Sequence, residues 1–134
     1  MDLKKARRLI NQAKAARIFS QAKYSNFKVG AALETIDGEI YSGCNVESSS
    51  YGLSICAERV AITKAISEGK KKFKSIAIIG PDQDYCPPCG ACRQLLYDYA
   101  PDITVLLTNG KEIKEYNIKE LLPIAFDEAK LVKK

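Results

Sequence analysis

The sequence predicts an α/β fold, a three-layer α/β/α sandwich around one mixed five-stranded sheet. Three observations carry this reading. Two largely apolar runs, residues 73–80 and 103–107, lack a polar face and suit strands buried on both sides. Segments with helical spacing lie between strands, and such crossovers permit parallel pairing. Two turn dipeptides, Asp37-Gly38 and Asn109-Gly110, each join a pair of strands and make those pairs antiparallel.

The elements follow in order. Residues 3–22 place Leu3, Ala6, Ile10, Ala13 and Ile18 at helical spacing, a first helix. Residues 29–35 form a strand, and 39–45 return beside it through Asp37-Gly38. Residues 55–68 are small and apolar and close at Gly69, a second helix. The strand 73–80 comes next, then a third helix over 89–99 that stops ahead of Pro101. Strand 103–107 turns at Thr108-Asn109-Gly110-Lys111 into a last strand, 112–116. That strand is antiparallel to its predecessor, because a tight turn leaves no room for a crossover. A short helix near 119–122 ends at Pro123. No linker, repeat or low-complexity tract interrupts the chain, so residues 1–134 form a single domain.

Composition narrows the chemistry. Apolar residues make up 46% and charged residues 28%, as in a folded chain. The chain has no His, which excludes a Ser-His-Asp triad, a Cys-His dyad and any imidazole metal ligand. The net charge of +5 is mostly Lys and does not by itself mark a nucleic-acid partner. Lys70-Lys71-Lys72 with Lys74 reads as a solvated helix end. No segment approaches the roughly 20 apolar residues of a membrane span, and no signal-peptide core follows the first residues. A cytoplasmic chain without membrane or nucleic-acid partners is the expectation. Five Cys, three of them in Cys86-Pro87-Pro88-Cys89-Gly90-Ala91-Cys92, suit a reducing compartment and metal ligation.

Two segments concentrate the chemistry: Cys56-Ala57-Glu58-Arg59 opening the second helix, and Pro88-Cys89-Gly90-Ala91-Cys92-Arg93-Gln94 opening the third. Cys89 and Cys92 are three apart and face one way. Two helix starts meeting beyond the strand ends would join three thiols where helix dipoles favour thiolates. Three thiolates suit one Zn²⁺ per chain, with a fourth tetrahedral position open to water. Glu58, within a turn of Cys56, is the carboxylate placed to carry protons. Arg59 and Arg93 each adjoin a ligand, and either can hydrogen-bond a thiolate and offset the excess negative charge. Other readings stay open at this level: a closed zinc site with Cys86 as fourth ligand, a redox CxxC pair, or Cys56 as a small core residue. Cys-Ala-Glu upstream of Pro-Cys-Gly-Ala-Cys adds specificity, because it is the signature of zinc deaminases with Cys in the first ligand position.

With these residues the chain resembles the small homotetrameric cytidine deaminases. The likeness also includes Tyr24-Ser25-Asn26-Phe27-Lys28-Val29-Gly30-Ala31-Ala32, Gly43-Cys44-Asn45-Val46-Glu47-Ser48, Ser50-Tyr51-Gly52 and Leu121-Leu122-Pro123-Ile124-Ala125-Phe126. It implies a cytidine deaminase-like fold and zinc-dependent deamination of cytidine and 2′-deoxycytidine in pyrimidine salvage, in a homotetramer with shared active sites. It also implies that Glu58 shuttles protons. On the same likeness, the Ala57 N–H is expected to contact the base O2 and the Pro87 carbonyl to accept from the amino group. Asn45 and Glu47 match the pair that holds the ribose hydroxyl, and Phe27 matches the aromatic beside the base. Tyr51 and Phe126 match positions that reach a neighbouring subunit's site. Pro87 stands where the family usually has Ser, and it keeps the carbonyl that recognition needs. Ser48-Ser49 replaces the family's common Asn-Ala. Cys86 and Cys44 receive no role. The competing readings are a relative acting on another small base such as blasticidin, a nucleic-acid-editing deaminase, and a non-catalytic zinc-stabilised binding module.

Overall fold

The computed structural model describes residues 2–81 and 84–131. Helix α1 spans Leu3–Arg17 and starts at Asp2, whose carboxylate accepts from the Lys4 N–H at 3.0 Å. That bond satisfies one of the unpaired amides of the first turn. Ala6, Leu9, Ile10 and Ala13 form the buried stripe. The helix stops at Arg17, short of the residue 22 that periodicity predicts. The following residues are drawn to the sheet edge instead: Gln21 N–H donates to the Asn45 carbonyl and the Gln21 carbonyl accepts from Glu47 N–H, both at 3.0 Å.

Strands β1 (Gly30–Thr35) and β2 (Ile40–Cys44) form the first hairpin. Helix α2 is Ala57–Ser67, β3 is Phe73–Ile79 and α3 is Gly90–Tyr99. Strand β4 (Thr104–Thr108) pairs antiparallel with β5 (Ile113–Asn117), through a turn in which Gly110 adopts φ 95°. That left-handed backbone costs glycine little. The short α4, Ile118–Leu121, closes the fold.

The sheet order is β2-β1-β3-β4-β5. Strand β1 is antiparallel to both neighbours, and β3 and β4, joined across α3, run parallel. Alternation along the strands builds two cores. Leu33, Ile76, Ile78 and Val105 face α2 and α3; Ala32, Ala77, Ile79 and Leu106 face α1. Strand β3 therefore contributes to both faces, which is why its sequence shows no polar alternation. The predicted three-layer sandwich and mixed sheet are observed. Among the described residues no helix is long and apolar enough to cross a membrane.

Helix α2 lies almost against the backbone of β2. A Cβ at Gly43 would come within 2.7 Å of the Ala57 carbonyl oxygen. This close approach sets where the first turn of α2, and with it Cys56 and Glu58, emerges above the sheet.

Candidate active site

The two ligand-bearing helices begin one or two residues later than periodicity predicts, and this shift decides the geometry. Cys56 and Cys89 are the N-cap residues of α2 and α3, both with extended backbone and neither side chain spent on a cap. Their sulfurs are left to point across the gap between the two helix starts. Cys92, within the first turn of α3, is fully buried.

The three sulfurs lie within 4.8 Å of one another, with Cys56 Sγ and Cys89 Sγ 4.0 Å apart. Zinc–sulfur bonds of about 2.3 Å in a tetrahedron call for sulfurs about 3.8 Å apart, so the cluster fits zinc with little movement. Protonation supports the same reading. The Cys56 thiol is held down to about 6, chiefly by a hydrogen bond from the Cys92 thiol, with burial opposing and Cys89 and Arg59 assisting. Cys92 shifts upward, because its proton is what Cys56 holds. A bound cation takes the place of those shared protons. Among the described residues, Cys86 is outside this cluster. Burial, with negative groups around it, pushes the Cys86 thiol up to about 12. Cys44, at the end of β2, is likewise raised by burial.

Glu58 sits in the first turn of α2 at 4% exposure. Burial pushes its carboxyl up to about 7; the Cys56 charge adds to this, while its own backbone N–H and the Cys92 thiol oppose it. Glu58 lines a cavity of about 530 Å³ with Cys56, Cys89, Ala57 and Pro87 on the metal side. Phe27, Asn45, Glu47 and Cys86 also line it. A larger depression of about 900 Å³, between α3 and residues 126–131, contains no cysteine and no buried carboxylate. The chemistry belongs to the smaller cavity.

The polar side of the cavity is tightly wired. Asn45 Oδ1 accepts from the Val29 N–H at 3.0 Å and from the Ser20 hydroxyl, and its Nδ2 donates to the Phe27 carbonyl at 2.8 Å. Glu47 Oε1 accepts from the Tyr24 and Ser25 N–H groups at 2.9 and 3.0 Å, and Oε2 accepts from the Ser25 hydroxyl. These donors, the Ser25 hydroxyl foremost, hold Glu47 below the ordinary carboxylate range. Ser25 Oγ also accepts from the Phe27 N–H at 3.0 Å. Asn26, between them, takes a left-handed φ of 57°. Ser20 and Ser25 thus position three expected substrate contacts. The sequence assigns Ser25 no role although it lies within the 24–32 segment, and nothing local marks Ser20.

The two arginines divide. Arg59 Nη2 donates to the Ser54 carbonyl at 3.0 Å, and its guanidinium also stabilises the Cys56 thiolate. The hydrogen bonds of Arg93 go to carbonyls rather than to a thiolate: Nε to Pro88 at 2.7 Å and Nη1 to Leu121 at 2.8 Å. Its position on α3 faces α4, and there it braces the ligand loop. Tyr51 and Phe126 do not line this chain's own cavity. Tyr51 is exposed and meets Tyr24 edge-on at 6.2 Å, and exposed Phe126 is tied through its carbonyl to Gln94 Nε2 at 2.8 Å.

The cytidine and deoxycytidylate deaminase zinc-binding region matches residues 3–108. The chain belongs to the cytidine deaminase family. It is of the small form with a three-cysteine zinc site, and Cys56, Cys89 and Cys92 hold the metal. A cytidine deaminase of Sporosarcina psychrophila is 44% identical over 133 residues, covering 98% of this chain and 96% of that protein. The crystal structure of the cytidine deaminase of Burkholderia pseudomallei superposes with a TM-score of 0.86 at 45% identity, covering 94% of this chain and all of that one. A blasticidin-S deaminase of Bacillus cereus is 42% identical over 107 residues, 73% of this chain and 76% of its own length. The cytidine deaminase activity of this family is zinc-dependent hydrolysis, and this chain is an enzyme of that kind.

Proposed function

We propose that the enzyme converts cytidine and 2′-deoxycytidine to uridine and 2′-deoxyuridine with release of ammonia, in pyrimidine salvage in the cytoplasm. The observation that carries this is one cavity of about 530 Å³, in which a buried carboxylate beside three converging thiols shares the lining with an amide–carboxylate pair.

Zinc, when bound, supplies a Lewis acid that acidifies a water beside the base. The residues of the chain do the rest. Glu58 takes one proton from the attacking water and delivers it to N3, then takes the proton of the new C4 hydroxyl and gives it to the leaving amine. The Ala57 N–H, at the positive end of α2, donates to the base O2. The Pro87 carbonyl accepts from the amino group, and Arg93 steadies it through the adjacent Pro88. Phe27 packs against the base plane. A sugar hydroxyl both donates and accepts, and Asn45 with Glu47 meets both needs. Prior wiring of these two side chains to Ser20, Ser25 and the 24–29 backbone reduces the ordering cost of binding.

The enzyme works as a homotetramer with shared sites in this reading. The cavity is open on one side, and exposed Tyr51, Phe126 and Ile124 are large apolar groups that a neighbouring copy would cover. A dihedral tetramer is a common closed arrangement of that kind.

The test is ultraviolet-monitored deamination with four substrates side by side. Cytidine and 2′-deoxycytidine should turn over. Blasticidin S, to which the Bacillus cereus relative points, and single-stranded DNA should not compete at equal concentration. Exclusive turnover of blasticidin S or of DNA would replace this assignment.

A further inference from the structure

Cys89 brings its sulfur to the metal cluster from the end of a proline-rich loop. Among the described residues, 84–88 make no main-chain to main-chain hydrogen bond. Pro87 and Pro88 have no N–H to give. Something other than the backbone ladder must hold this loop, and side chains do so at both ends. At its end, Pro88 is buried and its carbonyl is held by Arg93. At its start stands Tyr85, for which neither the fold nor the reaction has so far supplied a purpose.

Tyr85 reaches from the loop to the β4–β5 hairpin. Its hydroxyl donates to Glu112 Oε2 at 3.2 Å, and Lys114 Nζ lies 4.5 Å from its ring centroid. Its ring also packs against the core on the α2–α3 side of the sheet. The hairpin is a firm anchor. The Glu112 N–H donates to Asn109 Oδ1 at 2.8 Å, and the Glu112 carbonyl accepts from the Thr108 hydroxyl at 2.8 Å. The next residue, Cys86, packs against the end of β3, where a Cβ at Gly80 would come within 2.8 Å of its own Cβ. Clamping Tyr85 therefore fixes the entry of the chain into Cys86-Pro87-Pro88-Cys89.

We propose that Tyr85 is a positioning residue for the zinc-ligand loop, and that the β4–β5 hairpin acts through it to set how tightly zinc is retained. This rests on the zinc site assigned above. Residues that orient a ligand from outside the coordination sphere commonly change metal affinity about 10–100-fold when removed.

The test is the rate at which zinc passes from the loaded protein to a colorimetric chelator, read beside the Tm of the same zinc-loaded samples. Tyr85→Ala should release zinc about tenfold faster than wild type. Tyr85→Phe, which keeps the ring under Lys114, should restore most of the retention. The double variant Glu112→Gln with Lys114→Met leaves Tyr85 itself in place and should fall between these two. It also decides the matter if Tyr85→Ala does not fold. Release rates within about twofold of wild type in Tyr85→Ala and in the double variant, even with a lowered Tm, would overturn the proposal and leave Tyr85 a stabilising residue only. Wild-type protein that carries no zinc would instead overturn the metal assignment, so the two failures are distinguishable.

Discussion

Cys56 Sγ stands 4.0 Å from Cys89 Sγ although 33 residues separate them in the chain. The approach exists because both are N-cap residues, one of α2 and one of α3, at helix starts that meet above the sheet. The helix dipoles there favour negative sulfur, and Arg59 adds a positive charge at Cys56.

Zinc content should be one per chain. Cys56→Ala, Cys89→Ala and Cys92→Ala should each abolish stoichiometric zinc, whereas Cys86→Ser should keep it. Elemental analysis of the purified variants checks this. Full zinc loss in Cys86→Ser would restore the closed four-thiolate site.

Gly43→Ala should lower stability by about 1–3 kcal/mol, the usual cost of overpacking. A Cβ there would meet the Ala57 carbonyl and Val60 Cβ at 2.7 and 2.8 Å, so α2 must lift away from β2. Lifting α2 moves Cys56 and Glu58 with it, and activity should fall along with Tm. Denaturant unfolding beside turnover measurements reads both. An unchanged midpoint would mean that α2 tolerates displacement.

Much of this architecture was legible in the residues, and the exceptions share a cause. The double-sided burial of β3, the Asn109-Gly110 hairpin and the spacing of the three ligand cysteines are local signals, and each was legible. The end of α1 was not, because Gln21 and Ser20 are claimed by residues 45–47. Nothing near Ser20 in the chain announces that pairing. Adjacency to a ligand leaves either Arg59 or Arg93 able to meet a thiolate; only the fold shows that Arg59 does so while Arg93 turns to α4. The Tyr85 clamp depends on a hairpin some thirty residues later, beyond any local pattern.

The Glu47 network should be pH-sensitive in one direction. Its folded-state carboxyl is held below the ordinary range, mainly by the Ser25 hydroxyl. A depressed carboxylate contributes stability that is present above its unfolded value, about pH 4.3, and is lost as pH falls through the lower folded value. The Tm of wild type should therefore exceed that of Glu47→Gln at pH 6–7 on the usual stability plateau. The gap should close toward acid. A gap of constant size from pH 7 down to about 3 would contradict the hydrogen-bonded carboxylate.

Phe126→Ala should raise KM for cytidine roughly two- to tenfold while zinc content stays at one per chain, as expected for loss of aromatic packing worth about 0.5–1.5 kcal/mol. Steady-state kinetics beside sedimentation tests the shared site. An unchanged KM, or a fully active monomer, would remove Phe126 from the site.

In the proposed mechanism Glu58 moves the protons of a zinc-dependent deamination. Its most direct test is cytidine turnover by Glu58→Gln, followed by ultraviolet absorbance, on protein whose zinc content and circular dichroism match wild type. In this variant kcat should fall about 10²–10⁴-fold or more, the range general acid–base groups supply. Turnover within about tenfold of wild type, only about 1.4 kcal/mol of barrier, would contradict it.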